Sequence, residues 1–128
     1  MWIPARWLEA RLHLITLGPR KSDYRVRQDT RITPARVRAL AAAADGCWRA
    51  ILSRDEREFG RQVRASFEAQ TSIFPRMMDS NVRAAIKQYA GKSLGWKLSG
   101  AGGGGYLVLV GHQAVPGAIQ LKIRRKDL

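Results

Sequence analysis

The feature that most constrains this fold is a run of glycine between two strand-like segments. Residues 100–105, Gly-Ala-Gly-Gly-Gly-Gly, follow the short segment 95–99 and precede Tyr106–Val110, which is apolar at every position. A short uninterrupted apolar run is typical of a strand buried on both faces. Because glycine adopts the positive φ values that tight turns need, the pattern predicts a β-hairpin with residues 100–105 at its tip.

Two nucleotide-binding motifs are matched only in part. Gly100, Gly102 and Gly105 satisfy the pattern GxGxxG, but that pattern needs a following helix to meet the pyrophosphate, and here a strand follows. Residues 91–93, Gly-Lys-Ser, are similar to the end of a P-loop, yet Ile86 occupies the position of its first glycine. Neither motif is therefore predicted to bind a nucleotide.

Five glycines in six positions exceed what a simple hairpin turn needs. Each flexible glycine costs about 0.5–1 kcal/mol relative to alanine, so we expect that the missing Cβ atoms allow close approach of another group. Bare backbone N–H groups can line a concavity that accepts an anion or another backbone segment. The run is therefore predicted to be a functional loop rather than a plain turn.

Three helices are predicted in the middle of the chain. The first begins at Thr33-Pro34, because threonine caps helix N-termini and proline suits the first helical position. The second runs from about Glu56 to the next proline. The third starts at Asp79 or Ser80 and ends at a C-cap glycine, Gly91. Spacings of three and four predict the buried face of the first helix, which comprises Val37, Leu40, Ala41, Ala44, Trp48, Ile51 and Leu52.

Strands are predicted on both sides of these helices. They cover residues 12–17, 95–99 and 106–110, and a last strand in which Ile119, Leu121 and Ile123 alternate with polar residues and face the core. Helices segregated onto one face of an antiparallel sheet give an α+β fold. The prediction is a ferredoxin-like two-layer sandwich, with about four antiparallel strands and three helices on one face.

Residues 95–106, Gly-Trp-Lys-Leu-Ser-Gly-Ala-Gly-Gly-Gly-Gly-Tyr, closely resemble the third conserved motif of GHMP kinases, of the form K-L-[ST]-G-A-G-G-G-G. Segments 17–20, 67–70 and 74–77 are similar to the sugar-kinase branch of that superfamily, which includes fucokinase and heptose-phosphate kinase, with galactokinase among the wider relatives. The resemblance implies a GHMP kinase C-terminal domain at residues 12–128.

The resemblance also implies roles for particular residues. The domain would follow an N-terminal lead-in at residues 1–11. Phe74 and Pro75 would lie near the sugar pocket. The reaction would transfer a phosphoryl group from ATP, with Mg²⁺, to a sugar hydroxyl. The loop that closes the active site over phosphate and sugar would consist of Ser99, Gly100, Ala101, Gly102, Gly103, Gly104 and Gly105.

The family's ATP-binding loop, rich in serine and glycine, does not occur in these 128 residues, and no cluster of metal ligands is apparent. Phosphoryl transfer depends on positioned phosphates and metal ions. We therefore expect no catalytic residue and no metal ligand in this chain, and no activity from the chain alone. ATP and Mg²⁺ would be held mainly by an N-terminal kinase domain, on the parent or a separate chain. His13 and His112 are predicted to be structural or surface residues.

Two alternatives remain open. One is a free-standing module that keeps the fold without catalysis and binds a phosphosugar or a nucleotide in the glycine loop. The other, suggested by the formal net charge of +13, is a basic nucleic-acid-binding protein, although the basic residues are spread along the chain rather than gathered in one patch. No apolar segment is long enough for a membrane span, and the single cysteine, Cys47, suggests a reducing cytoplasm. Apolar surface left without its partner domain would favour homo-oligomers.

Overall fold

A computed structural model describes residues 2–124 as helices packed on one four-stranded sheet. The helices are α1 (Pro4–Glu9), α2 (Pro34–Ser53), α3 (Glu56–Ile73) and α4 (Ser80–Tyr89), with 3₁₀ turns at Pro75–Met77 and Ala90–Lys92. The strands are β1 (Leu12–Gly18), β2 (Gly95–Ser99), β3 (Gly105–Val110) and β4 (Ile119–Gln120). Met1 and residues 125–128, which belong to the predicted segments 1–11 and 12–128, lie outside the described residues.

The sheet is antiparallel and has the strand order β2-β3-β1-β4. The first strand of the chain is therefore internal: β1 pairs with β3, with Leu12 opposite Val110, and also with β4. Strands β2 and β3 form the predicted hairpin, in which Ser99 pairs with Tyr106. Within residues 2–124, every helix precedes β2 in sequence. The predicted α+β class and the antiparallel sheet of four strands are confirmed.

The helix N-termini follow the predicted capping residues. The Thr33 side chain accepts a hydrogen bond from the backbone N–H of Arg36 at the start of α2, and Asp79 accepts one from Val82 at the start of α4. The C-terminal prediction at Gly91 is wrong. Helix α4 ends at Tyr89, and Gly91 lies inside a 3₁₀ turn without a positive φ. That turn continues the right-handed backbone, so no left-handed residue is needed there.

Two apolar clusters form the core. The larger lies between the sheet and helices α3 and α4, and the smaller joins α2 and α3 to the end of β3, where Trp2 and Trp7 pack against it. Their fully buried members include Phe67, Leu98, Leu107 and Leu109. Helix α1, which lies within the predicted lead-in, contributes Trp7 to the smaller cluster. None of the helices in the described part of the chain is long and apolar enough to cross a membrane.

The predicted buried face of α2 is wrong. The residues that α2 buries are Ala43, Ala50 and Ile51, whereas Trp48 is 53% exposed. Val37 and Leu52 are also exposed, and Ile51 is the only buried member of the predicted set. Apolar residues cover more than half of the circumference of α2, so their spacing was compatible with two different buried faces. The face rich in alanine packs against α3 because small side chains let two helices approach closely.

The last predicted strand is shorter than expected. Only Ile119 and Gln120 pair with β1, and Ile119 is exposed rather than buried. Leu121 and Ile123 are half-buried, and the backbone N–H of Leu121 still bonds to the Leu12 carbonyl. Strand β4 is at the edge of the sheet, where one side lacks a neighbour and pairing ends early.

Candidate functional site

The glycine run forms the tip of the β2–β3 hairpin. All five of its glycines have positive φ values, between 76° and 148°. Residues other than glycine rarely adopt such backbone conformations without strain. The backbone path alone therefore accounts for the number of glycines, and the expectation that the run holds more glycine than its turn needs is wrong.

A second reason for the glycines lies in the chain itself. Residues 19–24, here called the cover segment, lie across the hairpin. Arg20 Nε donates to the Gly102 carbonyl at 3.1 Å, and the Lys21 backbone N–H donates to the Gly103 carbonyl at 3.1 Å. A Cβ on Gly103 would overlap the Tyr24 ring, and one on Gly104 would lie 2.6 Å from the Pro19 carbonyl carbon. The close approach predicted for this loop thus occurs within the chain.

Tyr24 fixes the cover segment on the hairpin. Its hydroxyl donates to the Ala101 carbonyl at 2.7 Å. Burial raises the pKa of Tyr24, and the negative charge of Asp79 raises it further against the opposing charge of Arg20. The raised pKa extends to higher pH the range in which the hydroxyl can donate this hydrogen bond. The three hydrogen bonds from the cover segment all use carbonyl groups of the hairpin, so none of them occupies a hairpin N–H group.

A cavity of about 580 Å³ lies beside the hairpin and brings together part of the predicted site. Ser99, Gly100 and Ala101 line it, and Phe74 lines it from the end of α3. Gly102, Gly103, Gly104 and Gly105 are not among its lining residues. Pro75 instead lines a neighbouring cavity of about 360 Å³, together with Tyr24 and Arg76.

The larger cavity is basic. Arg27 and Lys97 line it, and none of its lining residues is acidic. Lys97 Nζ donates to the amide oxygen of Gln70 at 3.4 Å, and neither cation forms an ion pair within residues 2–124. A half-buried ammonium group with only a neutral acceptor can gain from an anion. The arrangement can therefore hold an anionic ligand against the hairpin.

Arg27, Lys97 and Gln70 were missed as site residues by the sequence analysis. Lys97 belongs to the motif that carries the resemblance, so its position could have been found there. Arg27 lies in an irregular stretch between β1 and α2, where nothing in the local sequence points to the hairpin more than 70 residues away.

The other singled-out side chains lie outside this cavity. His13 is buried with Nε2 2.8 Å from the Gly111 carbonyl, and His112 has Nδ1 2.8 Å from a Glu56 carboxylate oxygen, as expected for structural and surface residues. Cys47 is half-buried, and burial raises the pKa of its thiol, which disfavours the reactive thiolate. No group of three or more potential metal ligands occurs among the described His, Cys, Asp and Glu residues.

Comparison of the chain with protein-family models and with curated proteins finds no match. The resemblance to GHMP kinases therefore rests on the residues of the glycine motif and its neighbours.

Proposed function

We propose that this chain is the C-terminal domain of an ATP-dependent GHMP-type sugar kinase, in the cytoplasm, and that it is inactive alone. The observation that carries the proposal is the cavity in which Ser99–Ala101 of the hairpin meet two cations, Arg27 and Lys97. A kinase must bind anionic phosphate beside a polar acceptor, and this cavity combines basic side chains with a loop of bare backbone. In this proposal the hairpin closes the active site.

Each lining residue then has a distinct part in binding. Arg27, Lys97 and the hairpin N–H groups would hold phosphate oxygens, because charge-assisted hydrogen bonds favour anions. Phe74 supplies an apolar wall for a sugar ring, and the exposed Ser99 hydroxyl can bond a sugar hydroxyl. When bound, ATP supplies the phosphoryl group, and Mg²⁺ offsets its negative charge. An N-terminal kinase domain would hold the metal and most of the nucleotide.

Reconstitution tests the proposal. The chain is co-expressed with the N-terminal domain of a GHMP sugar kinase, and ADP release is measured with and without candidate sugars. We expect a stable complex that releases ADP only when a sugar is present, while neither chain does so alone. Failure to associate with any such domain would remove the proposal.

Two variants connect that activity to the cavity. Lys97→Ala and Arg27→Ala should each reduce sugar-dependent ADP release by about tenfold or more, because a charge-assisted hydrogen bond contributes about 1.5–3 kcal/mol. Lys87→Ala is the matched control, since Lys87 is an exposed lysine on α4 that does not line the cavity. Equal loss in all three variants would indicate a general effect of charge rather than a site.

The basic lining also supports a second candidate, a free-standing module that binds a phosphosugar. Calorimetry on the isolated chain with a sugar phosphate separates the two candidates. Binding that Lys97→Ala weakens, without any association with a kinase domain, would favour the module. Binding of nucleic acid would instead appear as an affinity that falls steeply with salt, because bound phosphates release counterions.

A further inference from the structure

A second basic cavity, of about 580 Å³, lies where α1 meets the C-terminal end of α2. This N-terminal groove is lined by Trp2, Ile3, Arg6, Trp7 and Arg54. None of these residues is acidic, and neither arginine forms an ion pair within residues 2–124. The fold therefore brings two tryptophans and two unpaired arginines together, although the arginines lie far apart in the sequence.

Arg54 has a strained backbone conformation. It directly follows the last residue of α2, with φ 56° and ψ 38° in the left-handed region. Glycine is the usual residue at such a helix end, because a Cβ makes this conformation unfavourable. Cζ of Arg54 lies 4.9 Å from the centre of the Trp2 ring, and an exposed cation–π contact offsets only part of the strain. An arginine at a strained position indicates a role for its side chain beyond stability.

We propose that the N-terminal groove holds one nucleotide of a single-stranded nucleic acid. A base stacks on the outer face of the exposed Arg54 guanidinium and extends its stack on Trp2, since unpaired bases stack on both arginine planes and aromatic rings. Arg6 donates to the adjoining phosphate through charge-assisted hydrogen bonds. Ile3 and Trp7 form the apolar wall beside the base.

The chemistry of the groove favours this occupant over other anionic partners. In a duplex the base faces are stacked on one another, so only an unpaired base offers a flat face to the groove. An anionic membrane needs apolar side chains that project outward. Of the apolar lining residues, Ile3 is exposed at 39%, but Trp2 and Trp7 pack against the core. The net charge of +13 attracts a polyanion to the chain as a whole.

Fluorescence anisotropy with the full chain and a labelled thymidine oligonucleotide of about 15 nucleotides tests the groove. The matched ligand is an oligonucleotide of the same length and charge that lacks bases. We expect the strand with bases to bind at least about fivefold more tightly, and Trp2→Ala to remove that preference, because one stacked base contributes a factor of this order. Trp48→Ala is the control and should keep the preference, since Trp48 is 53% exposed but lies outside the groove.

Two arginine variants separate binding from folding. Arg54→Gly relieves the left-handed strain, so the urea midpoint should stay the same or rise, while the affinity for the thymidine strand should fall by about fivefold or more. Arg6→Ala should lower the slope of log affinity against log salt by about 0.7, the value for one phosphate contact on a single strand. Arg83→Ala is the matched control, because Arg83 is exposed on α4 and does not line the groove.

Equal affinity for the strands with and without bases overturns the proposal, as does no binding at about 100 µM, the weak end of non-specific affinities. An equal loss in Arg54→Gly and Arg83→Ala also overturns it, because only general charge would then matter. Binding to phosphatidylserine vesicles that Trp2→Ala abolishes, without a preference for bases, would assign the groove to a membrane instead. The groove shares no lining residue with the cavity beside the hairpin, so this outcome and that of the kinase proposal are measured with different variants.

Discussion

The contact between the cover segment and the hairpin can be tested with two glycine-to-alanine variants that differ in one respect. Gly100 and Gly103 have nearly equal φ values, 79° and 76°. A Cβ on Gly100 would meet nothing within 4 Å, whereas a Cβ on Gly103 would overlap the Tyr24 ring. The two substitutions therefore share the cost of a left-handed alanine but differ in steric overlap.

The structure gives a magnitude for each variant. A left-handed residue other than glycine costs about 1–2 kcal/mol, so Gly100→Ala should lower the free energy of unfolding by about that amount. Gly103→Ala pays the same cost and also displaces Tyr24, which removes the 2.7 Å hydrogen bond to Ala101. That bond contributes about 1 kcal/mol. We expect Gly103→Ala to be more destabilising by about 1–2 kcal/mol once lost ring contacts are included.

Urea unfolding followed by tryptophan fluorescence measures both variants, and Tyr24→Ala completes a double-mutant cycle. With the ring removed, Gly103→Ala should cost no more than Gly100→Ala does, because only the backbone strain remains. Equal destabilisation by the two glycine variants in the unmodified background would refute the reasoning. It would mean that the cover segment does not constrain the hairpin in solution.

Two further predictions concern a helix cap and a buried thiol. Asp79→Ala should lower the free energy of unfolding by about 1 kcal/mol because it removes the N-cap of α4, while the exposed Asp23→Ala should change it by less than about 0.5 kcal/mol in the same urea assay. Because burial raises the pKa of Cys47 in the folded chain, the unfolded chain ionises first, so stability should decline as the pH rises above about 8.5. Cys47→Ala should remove that part of the decline between pH 7 and pH 10, and identical pH profiles for the two chains would contradict the assignment.

Local signals in the sequence were sufficient for most secondary-structure elements. Thr33-Pro34 and Asp79 mark helix starts through side-chain chemistry that acts within three residues. The hairpin was predictable because glycine and the neighbouring apolar run have strong local preferences. The order of elements, strand then helices then hairpin, in turn predicted an α+β fold with an antiparallel sheet.

The parts that the sequence did not predict depend on contacts between distant segments. The packed face of α2 was misassigned because two apolar faces compete on one helix, and the small residues that favour packing on α3 contribute little to an apolar pattern. Gly60 of α3 and Gly95 of β2 are in direct backbone contact, which explains both glycines, yet 35 positions separate them in the sequence. Arg27 was also missed because its place in the cavity depends on a contact between the segment before α2 and the distant hairpin.

The candidate site was predicted in part. Ser99, Gly100 and Ala101 of the predicted loop line the same cavity as Phe74 of the predicted sugar pocket. Pro75, the other residue predicted for that pocket, lines a different cavity. The number of glycines was a weaker indicator of function than expected, because the turn and the cover segment both require them. Arg27 and Lys97, the cations on which the chemical argument depends, lie outside the glycine run 100–105, although Lys97 belongs to the longer motif 95–106.

The internal position of β1 has a consequence for synthesis of the chain. Its hydrogen-bonding partners lie at residues 105–110 and 119–120, so β1 leaves the ribosome long before either neighbour exists. At about 5–20 residues per second, both of its edges stay unpaired for roughly 5–20 s. An unpaired strand is a template for association with other chains. During that interval the nascent polypeptide therefore exposes two unpaired strand edges that can associate with other chains.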